Sequence, residues 1–556
     1  MTTGPLETGM EAEEAGLPER YRKIPPRVNI AREVLDRWFP DRQGKGAGEG
    51  GEGGEGGPGF GDRTAFVHAD GEISYSELKS RVDRLARGLL KRGISHGAPI
   101  LLRMPNCPEF VASFLALVKI GALPVLLNSL LGMEEAAYVL EHSDARGAIT
   151  LDEVAGPLRG LKDELDLGLI VARGAAKGEA ALEDLPEGGD ADPLEAADTA
   201  ANDPAFIVYT SGTTGRPKGI RHAHRWIIAL GDANRFRLPP EAGDVAMATG
   251  EWSFISALGH NVLFPLRNGV TGAILEGRAL PERVLEAVQR HGVTVLYSVA
   301  TVYRRILGIE GVEERYDVSR LRCCNATGEP LQEATYHEWK RRFGCDIYEH
   351  YGVSEMQMVL GQGPGRPERP ERSVRPGSIG RPLPGVVVDV LDDAYRPAPP
   401  GEVGHLLIRA DDPGFFLGYH KDPERTAEVT RNGWYHTGDL AWKDEDGYFW
   451  VAGRSDECFK SRGIFISPVE IESALRGCAA VVEAAIVPLA DEEIGNRIRA
   501  IIVVRENEKP TETLAAEIRD DLKGRIAPFK VPHVIEFAES LPKSPVGKVL
   551  RRELMR

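Results

Sequence analysis

An apolar run from Ala205 to Val208 leads directly into Tyr209-Thr210-Ser211-Gly212-Thr213-Thr214-Gly215-Arg216-Pro217-Lys218-Gly219, and this stretch constrains the chain more than any other. The four apolar residues read as a buried strand. Gly212, Gly215 and Gly219 permit positive φ and let backbone N–H groups approach anionic oxygens closely. Ser211, Thr213 and Thr214 add hydroxyl donors, and Lys218 adds a mobile positive charge. The combination suits a loop that holds a polyphosphate. A Walker loop requires Gly-Lys followed by Ser or Thr as the magnesium ligand, whereas Lys218 is followed by Gly219, so a different nucleotide fold is implied. A solvated Ser/Thr/Gly turn would share the composition; the downstream motifs separate the two readings.

Those motifs are Ala326-Thr327-Gly328-Glu329-Pro330, Tyr351-Gly352-Val353-Ser354-Glu355, Tyr435-His436-Thr437-Gly438-Asp439-Leu440, Gly453-Arg454-Ser455-Asp456 and Pro542-Lys543-Ser544-Pro545-Val546-Gly547-Lys548. In this order, behind SGTTGRPKG, they resemble the adenylate-forming superfamily of acyl-CoA synthetases, nonribosomal adenylation domains and firefly-type luciferases. The resemblance runs from about Arg32 to the C-terminus and leans toward benzoate-CoA ligase-like aryl and medium-chain acyl-CoA synthetases.

A chain of 556 residues is too long for one core. Helical spacing covers Ser76 to Arg92 and Pro108 to Ile120. Strand-like runs lie at Gly121 to Leu127, Val293 to Val299, Val386 to Leu391, His405 to Ile408 and Tyr448 to Val451. This alternation predicts an α/β fold with mixed or parallel sheets. The resemblance adds a large N-terminal domain over 1–453, its mixed sheets flanked by helices, and a small mobile α+β domain over 454–556. The Gly/Glu-rich tract 44–61 satisfies GxGxxG at Gly46 to Gly51. No strand precedes it and no amphipathic helix follows at once, so it reads as a flexible solvated insertion.

A net charge of −16 argues against a general nucleic-acid or anionic-membrane surface. The six cysteines show no CxxC or Cys/His ligand spacing and read as reduced thiols. The N-terminus, with Glu7, Glu11, Glu13 and Glu14, has no basic-then-apolar signal, and no apolar run is long enough to span a bilayer. The expected setting is cytoplasmic, with a homodimer as a candidate assembly.

The resemblance implies the chemistry of the remaining residues. A carboxylate attacks the α-phosphorus of ATP, giving an acyl adenylate and pyrophosphate, and the acyl group then passes to CoA. The protein's main task is to position charge. Lys548 bridges the attacking carboxylate and the α-phosphate, and Glu355 holds Mg2+. ATP is held by Thr210, Ser211, Gly212, Thr213, Thr214, Gly215 and Lys218, by Gly328, Glu329 and Pro330, and by Tyr351, Gly352 and Ser354. Tyr351 offers a face to adenine; Ser354 stands where the family usually has Thr. Asp439 accepts from the ribose hydroxyls and Arg454 donates nearby. Asp456 is the hinge about which the small domain turns after adenylation. Lys460, Ser461 and Gly463 then face CoA, with Gly463 allowing close approach of the pantetheine. Because ATP and CoA are anionic, a negatively charged protein has to concentrate cations locally, and Lys218, Arg454, Lys460 and Lys548 are the candidates.

Trp252, Phe254, Leu258 and Gly259 are expected to line the acyl pocket, with Phe254 a candidate gate; an aromatic-lined slot admits a benzoate or a compact or medium aliphatic acid. His222, His224, His260 and His436 lack the spacing of a triad or metal site and read as bystanders or pocket wall. Two other functions fit the same motifs: an acyl-AMP ligase loading a carrier-protein phosphopantetheine, and a nucleotide-binding interaction protein without catalysis. Intact Lys218, Glu355, Asp439 and Lys548 argue against the second.

Overall fold

The computed structural model describes residues 24–39, 59–177, 179–185, 193–210, 216–364, 374–462, 464–491, 493–543 and 549–555. The periodicities seen in the sequence become elements whose ends shift by up to three residues. The first long helix runs Tyr75–Lys91, capped by Ser74, whose side chain accepts from the backbone N–H of Glu77. The second runs Pro108–Lys119 with proline at its first position, where a missing N–H costs nothing. Its residues from Phe110 to Lys119 are buried throughout, as befits a helix packed on several sides.

By contacts the chain divides into two compact units, Met1–Val387 with Arg409–Trp434, and Val388–Ile408 with Tyr435–Arg556. The larger unit carries two extended sheets. One has eight strands in the order Gly418–Tyr419, Lys218–Ala223, Pro204–Thr210, Leu123–Leu126, Pro99–Arg103, Gly147–Leu151, Gly168–Ala172 and Ala180–Ala181. Parallel pairing fills its centre, while Pro204–Thr210 and Lys218–Ala223 are antiparallel.

The other sheet has nine strands, with Thr64–His68, Thr271–Ala273, Val245–Ala248, Val295–Ser298, Cys323–Ala326 and Ile347–Tyr351 in one parallel run. Helices such as Pro281–His291, Ala300–Leu307 and Glu333–Phe343 close one core around Leu296, Tyr303, Cys324 and Trp339. Parallel strands need crossovers of this kind, and their burial on both faces explains why they read as unbroken apolar runs.

In the smaller unit Val388–Leu391 pairs with Gly404–Arg409, and Trp434–Lys443 pairs with Phe449–Arg454, both antiparallel. A separate sheet joins Val481–Asp491, Gly495–Val504 and Val534–Phe537. Helices Pro468–Arg476 and Glu512–Lys523 cover it through Ile471, Leu475, Ile518 and Leu522. The architecture is therefore mixed α/β with several sheets in the N-terminal part and a small α+β part after about residue 460.

Most of the Gly/Glu-rich tract lies outside the described residues. Its last residues do not behave as a solvated linker: Phe60 stacks on Trp38 at 4.2 Å, and a Cβ on Gly61 would fall 2.2 Å from the Ser76 hydroxyl. The aromatic ring at the end of the tract gives the chain something to bury. All six cysteines are free thiols, five of them buried. Among the described residues no helix is long and apolar enough to cross a membrane.

Candidate functional site

Ala205 to Val208 are wholly buried, and the antiparallel partners close at Thr210 opposite Lys218. The strand pair thus flanks residues 211–215 in the chain. Ser211, Gly212, Thr213, Thr214 and Gly215 lie outside the described residues.

Lys218 reaches across to the second sheet's motif. Its Nζ donates to Glu355 Oε1 at 2.8 Å and to the Tyr419 hydroxyl at 3.0 Å, and sits 4.6 Å from the centre of the Tyr419 ring. Tyr419 in turn donates to the same Glu355 oxygen at 2.6 Å. Glu355 is 3% exposed, so its carboxylate is desolvated and held by a cation and a phenol together. Tyr419 arrives by the short antiparallel pairing of Gly418–Tyr419 with Ile220 and Arg221. Sequence reasoning missed it, because only that pairing brings a residue 201 positions away to the lysine.

The Tyr-Gly-x-Ser-Glu turn is fixed by sterics. A Cβ on Gly352 would lie 1.5 Å from the carbonyl oxygen of Gln357, so no other residue fits there. The Ser354 carbonyl shares a 3.0 Å hydrogen bond with His222 Nε2, and burial pushes His222 down to about 3, leaving it neutral. His224 is likewise pushed down to about 4 by burial. Tyr351 ends the strand Ile347–Tyr351, half-buried.

Gly328 adopts φ +84 with open space around it, which suits a backbone that approaches a ligand. Glu329 accepts from the backbone and hydroxyl of Thr301, in the first turn of Ala300–Leu307, so its side chain anchors the loop rather than standing free. Beneath it, Glu349 accepts from the Leu331 N–H at 3.1 Å, and burial raises its carboxyl to about 8.

Asp439 and Arg454 stand opposite each other in the register of the smaller unit. Arg454 donates to the Thr437 carbonyl at 2.9 Å and reaches Asp439 at 3.4 Å and Asp456 at 3.2 Å. Gly438, at φ +78, would bring any Cβ within 2.7 Å of that guanidinium. Ser461 lies on Phe459–Ser461, paired with Ile464–Ile466, and is buried rather than exposed. The Lys460 side chain, Gly463 and Lys548 lie outside the described residues. Arg551 pairs with Glu457 at 2.6 Å and Glu472 at 2.8 Å, tying the helix Arg551–Leu554 to the segment that follows Asp456.

Of the acyl-pocket candidates, Trp252 is wholly buried, its Nε1–H donating to Asn261 at 3.1 Å and its ring meeting Phe110 edge-on at 5.4 Å. Phe254 is partly exposed. Leu258 and Gly259 open a π-helical turn, Leu258–Leu263, between two short α-helical pieces; such turns are frequent at functional sites. The Gln357 amide occupies the place of a Gly259 side chain, its nitrogen 2.3 Å from where a Cβ would stand. The structure thus gathers Lys218, Ser354 and Glu355 in one unit and Asp439, Arg454 and Asp456 in the other.

A divalent cation is implied for phosphate chemistry of this kind. Glu355 fits one: a magnesium ion takes one or two protein carboxylates and fills its remaining positions with phosphate oxygens and water. Among the described residues no cluster of three or more His, Cys, Asp or Glu could hold a metal.

Comparison with known proteins identifies the family. The model for "AMP-binding enzyme" matches residues 57–420, and that for "AMP-binding enzyme C-terminal domain" matches 470–548. Benzoate–CoA ligase of Thauera aromatica is 33% identical over 96% of this chain and 96% of its own length. The anthranilate CoA ligase AuaEII, solved with anthranoyl-AMP, superposes with a TM-score of 0.84 at 29% identity, covering 96% and 98% of the two chains. MatB from Rhodopseudomonas palustris, solved with ATP bound, has a TM-score of 0.80 at 25% identity, covering 95% and 98%. The chain belongs to the AMP-binding enzyme family and is an AMP-forming acid–thiol ligase of the acyl-CoA synthetase type.

Proposed function

We propose that the chain adenylates a benzoate-type aryl or compact to medium aliphatic acid with magnesium-ATP and passes the acyl group to free CoA. The observation that supports this reading is the Lys218–Glu355–Tyr419 cluster, whose lysine belongs to the SGTTGRPKG motif. It sets one cation and one carboxylate where polyphosphate and its metal would be met.

In this reading Lys218 and the loop 210–215 hold the β- and γ-phosphates, and Glu355 carries magnesium, which would neutralise phosphate charge when bound. Gly328, Pro330, Tyr351 and Gly352 frame the adenine, while Asp439 and Arg454 serve the ribose. Lys548 draws the carboxylate oxygen onto the α-phosphorus as the bond to pyrophosphate breaks. The body 454–556 then turns at Asp456 and exposes Lys460, Ser461 and Gly463 to the thiol. The thiol sulfur attacks the acyl carbon and AMP leaves. Phe254, Leu258 and Gly259 line the acyl slot, with Trp252 supporting it from the core. We place the reaction in the cytoplasm.

The test is mass spectrometry of the products from a panel of benzoates and short to medium aliphatic acids with magnesium-ATP and CoA. The expected products are AMP and an acyl-CoA thioester. An acyl adenylate without thioester would overturn free CoA as acceptor and favour a carrier protein.

A further inference from the structure

Arg237 closes the helix Trp226–Arg237 and is 6% exposed. Its Nη1 donates to Asn325 Oδ1 at 2.8 Å and to the Gln362 carbonyl at 3.0 Å. Its Nε and Nη2 are buried with no partner, and among the described residues no carboxylate lies within ion-pair distance. The buried guanidinium of Arg267, in the same unit, is instead ion-paired, facing Glu33 at 2.6 Å and Asp232 at 2.9 Å, and Arg103 leaves only its Nε without a partner while both terminal nitrogens donate to main-chain carbonyls. An uncompensated cation in the interior is costly and calls for an anion.

Its neighbours have the same deficit. His350 is 2% exposed and neither ring nitrogen has a partner. His260 spends Nδ1 on the Ser256 carbonyl at 2.9 Å and leaves Nε2 unpaired. The two imidazoles lie 4.9 Å apart, and His260 stacks on Tyr297 at 4.2 Å. Asn325 Nδ2 and Gln357 Oε1 are also buried and unpaired, and Gln357 holds a φ of +84 that side-chain-bearing residues rarely adopt. A Cβ on Gly361 would lie 3.1 Å from Arg237 Cδ and 3.3 Å from His350 Cβ, so the arginine and that histidine share one neighbourhood; burial, with the Arg237 charge second, keeps both histidines neutral.

This cluster adjoins the residues already assigned to substrate. Gly259 gives its side-chain space to Gln357, His260 follows it on the π-helical turn, and Asn325 and His350 precede the loop Thr327–Pro330 and Tyr351. We propose that Arg237, Asn325 and His350, with Gln357 and His260 beside them, form the far end of the acyl slot and hold a second carboxylate of a dicarboxylic acid. The orphaned groups are mostly donors, and a carboxylate offers the acceptors and the charge that Arg237 lacks. The inference rests on the acyl-slot reading proposed above.

The test uses the full-length wild-type enzyme with magnesium-ATP, CoA and matched acids: benzoate against isophthalate and terephthalate, hexanoate against adipate, and 3- and 4-hydroxybenzoate as uncharged acceptors. The expected result is that at least one diacid exceeds its monoacid in kcat/KM by about a hundredfold or more, since a site built for hydrogen bonds rejects the analogue that leaves them unmade. Arg237→Met should bring that ratio to within about threefold of one, and Arg237→Lys should restore part of it. Where Arg237→Met fails to fold, His350→Phe and the wild-type ratios decide. Monoacids preferred over diacids, a ratio indifferent to these substitutions, or hydroxybenzoates preferred over diacids would each overturn the proposal. The ligase reading is judged separately: AMP and thioester from any acid uphold it whatever the preference, and no turnover of any acid overturns both.

Discussion

Replacing Tyr419 by Phe removes one oxygen from the centre of the Lys218–Glu355 cluster and leaves the ring. That hydroxyl donates to Glu355 Oε1 at 2.6 Å and accepts from Lys218 at 3.0 Å, while the ring stays 4.6 Å from the ammonium. The direct Lys218–Glu355 contact at 2.8 Å survives, so the carboxylate keeps its charge partner and loses one of the groups fixing its direction. A hydrogen bond to a charged group contributes roughly 1.5–3 kcal/mol, and Glu355 is buried enough that water replaces little of it. Taking about 2 kcal/mol as a cost in the adenylation transition state predicts a fall of roughly thirtyfold in kcat/KM. ATP–pyrophosphate exchange measures that half-reaction alone, and repeating it across a magnesium titration reads the carboxylate directly. The exchange rate should fall and the magnesium requirement should rise, with the fold intact by thermal melt. A variant within about threefold of wild type at every magnesium concentration would refute the positioning role of Tyr419.

Three further substitutions probe other links. Gly352→Ala places a Cβ 1.5 Å from a main-chain carbonyl and should lower unfolding stability by about 3 kcal/mol or more in denaturant melts. Glu349 has its folded carboxyl raised to about 8, so the folded state binds more protons than the unfolded one between roughly pH 4.5 and 8, and stability falls as pH rises through that window. Glu349→Gln should remove the slope, so that its melting temperature gains on wild type from pH 5 to pH 8. Lys548→Ala should slow adenylation by about a hundredfold, roughly 3 kcal/mol, while thioester formation from supplied acyl adenylate survives. Equal loss in both steps would remove the role assigned to Lys548.

What was legible in the sequence follows from how local the controlling physics is. The strand before Ser211 declared itself by four apolar residues in a row, and the helix read over Ser76 to Arg92 by its apolar spacing, while the Ser74 cap that starts it one residue earlier came only with the structure. Gly438 and Gly352 are also local requirements, one a positive φ under a guanidinium and the other a close carbonyl approach. Tyr419 carries no such sign, since its importance arises only when Gly418–Tyr419 pairs beside Arg221. The same holds for Arg237, Asn325 and His350, which come from a helix and two strands and meet only through the parallel order of the second sheet. His260 read from sequence as bystander or pocket wall; its stacking on Tyr297 beside His350 puts it with the unpaired polar groups. Glu329 shows the converse, a motif residue whose carboxylate is spent on Thr301.

The proposed reaction turns on attack by a carboxylate oxygen of the acid at the α-phosphorus of ATP. Mass spectrometry of the products formed from an acid labelled with oxygen-18 in its carboxyl group tests this most directly. Attack at the α-phosphorus followed by transfer to CoA predicts one labelled oxygen in AMP and none in pyrophosphate. Label in inorganic phosphate with formation of ADP, or unlabelled AMP alongside thioester, would contradict it.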